Sequence, residues 1–317
     1  MRRFHITFGT IILFLMVLVS ACGPRSQPVI AEGPPLSAAE VEPTEPPMTE
    51  DTGEPVVSDD GGEPVFPDFD AGNFDNPTVI DNQWVPMQPG TMWAYEGIAL
   101  DEEDNSMIDR RIVFIVTDLT KEIEDVRTVV AWIEDFTDGE LGEKEIAFYA
   151  QDNAGNVWYF GEHPEDYENG KFIEAPTWIA GFEDARPGIV MMANPQLGMP
   201  NVYQGWGPEA EWSDYGRVEQ MGQETCVPVD CYKDVLVNAE ASLTEPGAFQ
   251  LKYYTPGVGE VRIGWRGDDP TQEELEMVEY RQLSPEELAE IHAQALELEQ
   301  HAYEVSPDAY GETPPME

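Results

Sequence analysis

Between Trp84 and Trp265 the chain is a succession of short aromatic and β-branched runs, each ended by turn chemistry, and no strand-length run is followed by a helix-length one. Such punctuation favours hairpins over βαβ units, because parallel strands need long crossovers. The runs are Trp93 to Leu100, Arg111 to Thr117, Arg127 to Asp135, Glu145 to Gln151, Val157 to Gly161, Asp234 to Ala241, Phe249 to Thr255, Glu260 to Trp265 and Leu275 to Leu283. Asp138-Gly139, Ala154-Gly155-Asn156, Asn169-Gly170, Pro246-Gly247 and Pro256-Gly257 separate them. All eight tryptophans fall within these limits, which places the packed core on about 200 residues, enough for one domain. The expected fold is all-β and mainly antiparallel, a strongly curved sheet or half-open barrel over residues 77–283.

Alternation changes along the chain. In the late runs Val261, Ile263 and Trp265 oppose Glu260 and Arg262, while Phe249, Leu251 and Tyr253 oppose Gln250 and Lys252. These strands are expected to have one wet face. In the early runs Ile112, Phe114 and Val116 oppose Val113 and Ile115, and Trp158 and Phe160 oppose Val157 and Tyr159, so both faces need cover. One cover is legible: Ser284, Pro285 and Glu287 form a capping box with Pro at the first helical position. Leu288, Ile291, Ala295, Leu298 and Ala302 then make a helical stripe over residues 284–304. The tail, 305–317, is expected to fray. The other cover is either the sheet's own curl or an apolar cavity roofed by the interrupted segment Pro187 to Pro200.

Charge narrows the partners. Sixteen basic residues against 63 acidic ones give a net charge of -47, and only five lysines occur. Nucleic acid is excluded in practice, since phosphate binding runs on Lys and Arg displacing counterions. Anionic headgroups are repelled too, so the folded part should stand away from a membrane. From Gly23 to Asn76 the chain holds thirteen acids and one base, Arg25, amid Pro, Ser and Thr. A disordered tether over 22–76 is expected there. Asp68, Asp70, Gly72, Asn73 and Asp75 fail the calcium-loop pattern, which wants Gly sixth and Glu twelfth where Asn73 and Val79 stand.

Before the tether, Arg2 and Arg3 precede a fourteen-residue apolar run, Ile6 to Val19, and then Ser20, Ala21 and Cys22. This resembles a bacterial lipobox. The resemblance implies that residues 1–21 are a lipoprotein signal peptide, that Cys22 carries the lipid, and that the protein sits outside the cytoplasm on a membrane. The run is short for a span, which takes roughly twenty apolar residues.

Few residues carry chemistry. Cys226 and Cys231 enclose Val-Pro-Val-Asp, and in an extracytoplasmic chain such a pair is expected to form a local disulfide contributing about 2 kcal/mol. A redox dithiol would more usually be Cys-x-x-Cys, and zinc would need further ligands. His163 falls in a polar stretch between Glu162 and Asp166 and is expected to face solvent, while His292 and His301 are nine apart on the helix. With no Gly-x-Ser-x-Gly elbow either, a serine triad, a metal and a cofactor are all unexpected. Carboxylate pairs are uninformative among 63 acids, and Asp152, Asn153, Gly155 and Asn156 suit a hairpin loop better than calcium. An adaptable apolar cleft is the sharpest binding candidate, built from Trp158, Phe160, Trp178, Met191, Met192, Met199 and Trp206.

Pro89 to Gly97, Tyr149 to Asp152, Trp158 to Glu162, Pro187 to Met191 and Tyr254 to Val261 resemble segments of a group of uncharacterised secreted bacterial proteins, over residues 77 to 265. That resemblance implies no activity. A lipidated curved sheet with a helix against it is also similar in outline to lipoprotein carriers with an unclosed barrel, at fold level alone. The expected function is a non-enzymatic binding module that takes an apolar ligand or a surface protein. The alternatives are a two-carboxylate hydrolase of surface polysaccharide and a structural surface component.

Overall fold

The computed structural model describes residues 62–317. Five long strands follow one another as hairpins: β1 (Thr91–Leu100), β2 (Met107–Ile123), β3 (Val126–Thr137), β4 (Glu140–Gln151) and β5 (Val157–Glu168). Five short ones come next, β6 (Lys171–Phe172), β7 (Trp178–Ile179), β8 (Arg186–Met191), β9 (Val202–Tyr203) and β10 (Gly205–Trp206). A second meander, β11 (Tyr215–Cys226), β12 (Cys231–Ala241), β13 (Ala248–Thr255), β14 (Gly259–Gly267) and β15 (Glu274–Gln282), brings β15 beside β1. The helices α1 (Pro285–Val305) and α2 (Pro307–Tyr310) end the chain. The fold is therefore a fifteen-stranded, antiparallel sheet with a C-terminal helix.

The hairpins turn where the dipeptides require it. Asp138 and Gly139, and Asn169 and Gly170, all have positive φ, the demand that a tight hairpin turn places on its central residues. Cys226 and Cys231 pair across the β11–β12 turn and are joined by a disulfide.

The order across the sheet runs from β10 and β8 through β5, β4, β3, β2, β1, β15, β14, β13, β12 and β11 to β9. Its two ends are β10 and β9, which only Gln204 separates in the chain. The sheet must therefore curl until both ends share the segment Val202 to Trp206, which pairs with β11 on one side and β8 on the other. Backbones meet closely there. A Cβ on Gly188 would lie 2.3 Å from the carbonyl oxygen of Tyr203, and one on Gly205 would lie 2.4 Å from the Trp178 ring.

Curling gives the early strands their two covers. On the outer face Val113, Ile115, Val130, Trp132, Ile146, Phe148, Trp158 and Phe160 form one core with Ala295, Leu298, Ala302 and Tyr310 of the helices. Helix α1 starts at the capping box: Ser284 accepts from the Glu287 N–H and Glu287 accepts from the Ser284 N–H. The inner face turns toward the second meander.

Both ends of the domain are more ordered than the sequence suggests. The tether does not run to Asn76: Val65 bridges Val202, Phe66 stacks on Tyr203 at 4.1 Å, and Phe69 and Phe74 pack on Trp158 and Phe160. Three phenylalanines dispersed among acids supply the apolar area that the composition of the whole segment hides. Asp70 caps the short turn Ala71–Asn73 through the Gly72 N–H, a local role for one residue of the failed calcium pattern. The tail from 305 does not fray either. Tyr310 and Met316 are buried, and Glu317 and Thr120 exchange two backbone hydrogen bonds.

A buried ion pair holds that tail. Lys121, wholly buried on β2, donates to Glu299 at 2.8 Å and to the Pro314 carbonyl at 2.6 Å, over the Tyr310 ring. Glu299 accepts from the Met316 N–H with both oxygens. Removing one partner leaves the other charge buried alone, which costs about 3–5 kcal/mol. Glu299→Ala is therefore expected to lower the unfolding free energy by about that amount in urea denaturation; a loss below about 1 kcal/mol would show that the clasp is not a closed, dry pair.

Candidate functional site

The inner face gathers charge that the sequence reading placed outside. Gln250 and Lys252 of β13 are buried, whereas Phe249, Leu251 and Tyr253 point outward. The expected wet face is thus absent from β13, where both sides are largely buried, whereas on β14 Val261 and Ile263 are buried and Glu260 and Arg262 are half-buried, as the alternation implies. Outward aromatics are possible because arginines lie on them: Arg266 is 3.8 Å from the Phe249 ring centroid and Arg262 5.5 Å from that of Tyr253. Guanidinium planes cover the rings that a single-domain core would otherwise take.

Inside, Lys252 stands 3.5 Å from Glu240 of β12 and 3.7 Å from Glu260 of β14. Burial alone would lower the lysine; the two carboxylates outweigh it and raise Lys252 above its ordinary value. Gln204, from the closing segment, and Asn238 both donate to Glu240. Asp214, just before β11, is pushed up to about 7 by burial, with the charges of Glu240 and Glu162 adding to the effect. Glu162 and Glu145 accept from the Tyr159 hydroxyl. Farther along, Arg110 joins Asp135 and Glu273, and burial still lifts Asp135 to about 8.

Aromatic rings line the same face in a row. Trp93, Phe114, Tyr149 and Tyr159 touch in sequence across β1, β2, β4 and β5, and Tyr159 then meets Trp178 and Trp212. Trp178 and Trp212 stack at 4.7 Å, and the indole N–H of each is buried with no hydrogen-bond partner among the described residues. Among the described residues no group of three or more His, Cys, Asp or Glu is placed to hold a metal ion.

The expected apolar cleft is dispersed. Trp158 and Phe160 face the outer core under Phe69 and Phe74, while Phe114 lies on the opposite face, so no one cavity takes both sets. Trp178 belongs to the inner row. Met191 is buried beside Val157 at the β5–β8 pairing, Met192 packs on the outer core, and Met199 accepts from the Gln196 N–H through sulfur. Trp206 packs on Phe66 and Tyr203. Cys22 lies outside the described residues. The first third of the Pro187 to Pro200 segment is strand β8, not a roof. Asp152 accepts from the Ala154 and Asn156 backbones, from the Asn156 amide and from Trp158, as a hairpin loop requires.

His163 is the clearest departure. It lies wholly buried in β5, with Thr177 on Nδ1 and Glu165 on Nε2. Glu165 also accepts from Tyr167 and meets Nδ1 of His301 at 2.5 Å. Polar neighbours disguised a strand whose outer side is roofed by α1 and α2. Burial alone would raise Glu165; hydrogen bonds from His163, Tyr167 and His301 outweigh it and hold the carboxyl at about 2.

No known family and no curated protein matches this chain. Three solved structures align. A candidate exported protein with a YmcC-like fold from Bacteroides fragilis is 11% identical over 63% of this chain and 100% of its own, with a TM-score of 0.34. A candidate lipoprotein from Parabacteroides distasonis gives 13%, 63%, 100% and 0.34, and a β-barrel-like protein of domain of unknown function DUF1849 from Brucella abortus gives 10%, 62%, 100% and 0.36. Scores this low leave the fold and the site of this chain to be read from its own residues.

The Glu165 contacts make a pH prediction. A carboxyl whose folded value is depressed adds stability above its ordinary 4.5 that disappears as pH falls toward about 2. Glu165→Gln should therefore be less stable than wild type at neutral pH and should flatten the stability profile across that acid window. Equal slopes for the two proteins in denaturation series would contradict the wiring.

Proposed function

We propose that the protein is a non-enzymatic binding module, tethered outside the cytoplasm through lipid on Cys22, whose inner face takes a positively charged organic ligand. The observation that carries the ligand class is Asp214. Its buried carboxyl is raised to about 7, by burial first and then by the charges of Glu240 and Glu162, and the same face also carries Glu145, Glu260 and the row of aromatic rings. An organic cation gains there twice, from the carboxylates and from ring faces. The same charge argues against an apolar ligand, which would offer the charged and polar groups of that face no partner.

Binding of a cation should lower the Asp214 value and release its proton. Titration calorimetry with putrescine, spermidine and choline, near neutral pH in buffers of different ionisation enthalpy, should show proton release on binding, abolished in Asp214→Asn. No heat with any of the three, or proton uptake, would defeat the ligand class. Anchoring is tested separately: Cys22→Ser should leave the membrane fraction for the soluble extracytoplasmic one, and unchanged fractionation would remove the lipid from the account.

The same carboxyl favours one rival. A carboxyl raised as Asp214 is, near other carboxyls and aromatic rings, is also an element of a two-carboxylate glycoside hydrolase. Turnover of polysaccharide that is lost in Asp214→Asn would replace the binding reading with that one.

A further inference from the structure

We propose a second site, independent of the inner face: a groove on the outer surface, between α1 and the β5–β6 hairpin, that binds a single pyranose ring. The groove has a volume of about 240 Å³. That is below the several hundred cubic ångströms of drug-sized pockets and suits one small ring. Its floor is Trp132 and its lip is Tyr167 and Phe172. Among the described aromatic side chains only Phe172 and Tyr280 stand exposed.

The wall of α1 is polar and regular. Gln294, Glu297 and His301 recur at spacings of three and four, so they share one helix side and all reach the groove. His301 is fixed: Nδ1 is held by Glu165, and Phe172 meets the imidazole edge to face at 5.1 Å. The bond to Glu165 occupies one ring nitrogen and leaves Nε2 for an occupant. Lys144, 5.9 Å from the centre of the Trp132 ring, supplies the remaining donor.

This set selects for hydroxyls. Gln294 both donates and accepts, Glu297 accepts, and Lys144 donates, which matches a ring whose hydroxyls do both. A simple anion would face Glu297, and an alkyl chain would bury Lys144 and Glu297 with no partner. Phe172 lines the groove with an aromatic ring, whose negative π-face attracts the polarised C–H groups of a sugar.

Saturation-transfer NMR and calorimetry on the whole protein, with the methyl glycosides of glucose, galactose, mannose and N-acetylglucosamine, test the proposal. At least one should bind, and Phe172→Ala and Glu297→Ala should each weaken it about tenfold, or 1.4 kcal/mol. Tyr280→Ala, at the other exposed ring, should leave binding unchanged. Absence of binding by all four glycosides would overturn the site. So would binding that survives both groove variants, and loss in Asp214→Asn alone would move the sugar to the inner face.

Discussion

Sharing Val202 to Trp206 between β8 and β11 is the constraint on which the other contacts depend. A sheet closed in this way has a narrow inner face and a broad outer one. The inner face must be filled by side chains from strands far apart in sequence, and it collects Lys252, Glu240, Glu260 and Asp214 beside tyrosines and tryptophans. The outer face then carries the larger share of the apolar core. It needs α1, α2, the Phe69 to Phe74 stretch and the arginines over Phe249 and Tyr253 to keep that core from water.

The two buried lysines show how differently the faces treat charge. Lys121, on the outer side, has one carboxylate, a carbonyl and a ring, and burial prevails to lower it. Lys252, on the inner side, has two carboxylates within 4 Å, and they prevail to raise it. Buried pairs of the first kind fix geometry more than they add stability. The binding proposal rests on an acid-rich interior of the second kind.

Much of this was legible beforehand, for particular reasons. Nine strand cores announced themselves because β-branched and aromatic runs met Gly-containing turns, and α1 because Ser284, Pro285 and Glu287 are local signals that tertiary packing did not override. Strand β11 was missed: Arg217 to Glu224 is polar on both sides, with register shifts against β12, so it shows no alternation. The polar side of β13 was misread because alternation reports that two sides differ, not that either of them is wet. Gln250 and Lys252 look like surface until the curl encloses them. His163 was misplaced for the same reason, since its cover comes from helices more than a hundred residues later. The inner site draws on β4, β5, β12, β13 and β14, and no spacing in the sequence could assemble it.

The central claim is that closure puts Lys252 among carboxylates in a negative interior. Selective 15N labelling of lysine tests it directly, because the chain has only five lysines and all lie within residues 121–252. Following their side-chain nitrogens with pH, the account predicts Lys252 titrating above the ordinary 10.5 and Lys121 below it. A Lys252 that titrates at or below 10.5, with the exchange behaviour of a solvent-exposed ammonium, would contradict the closed, acid-lined interior.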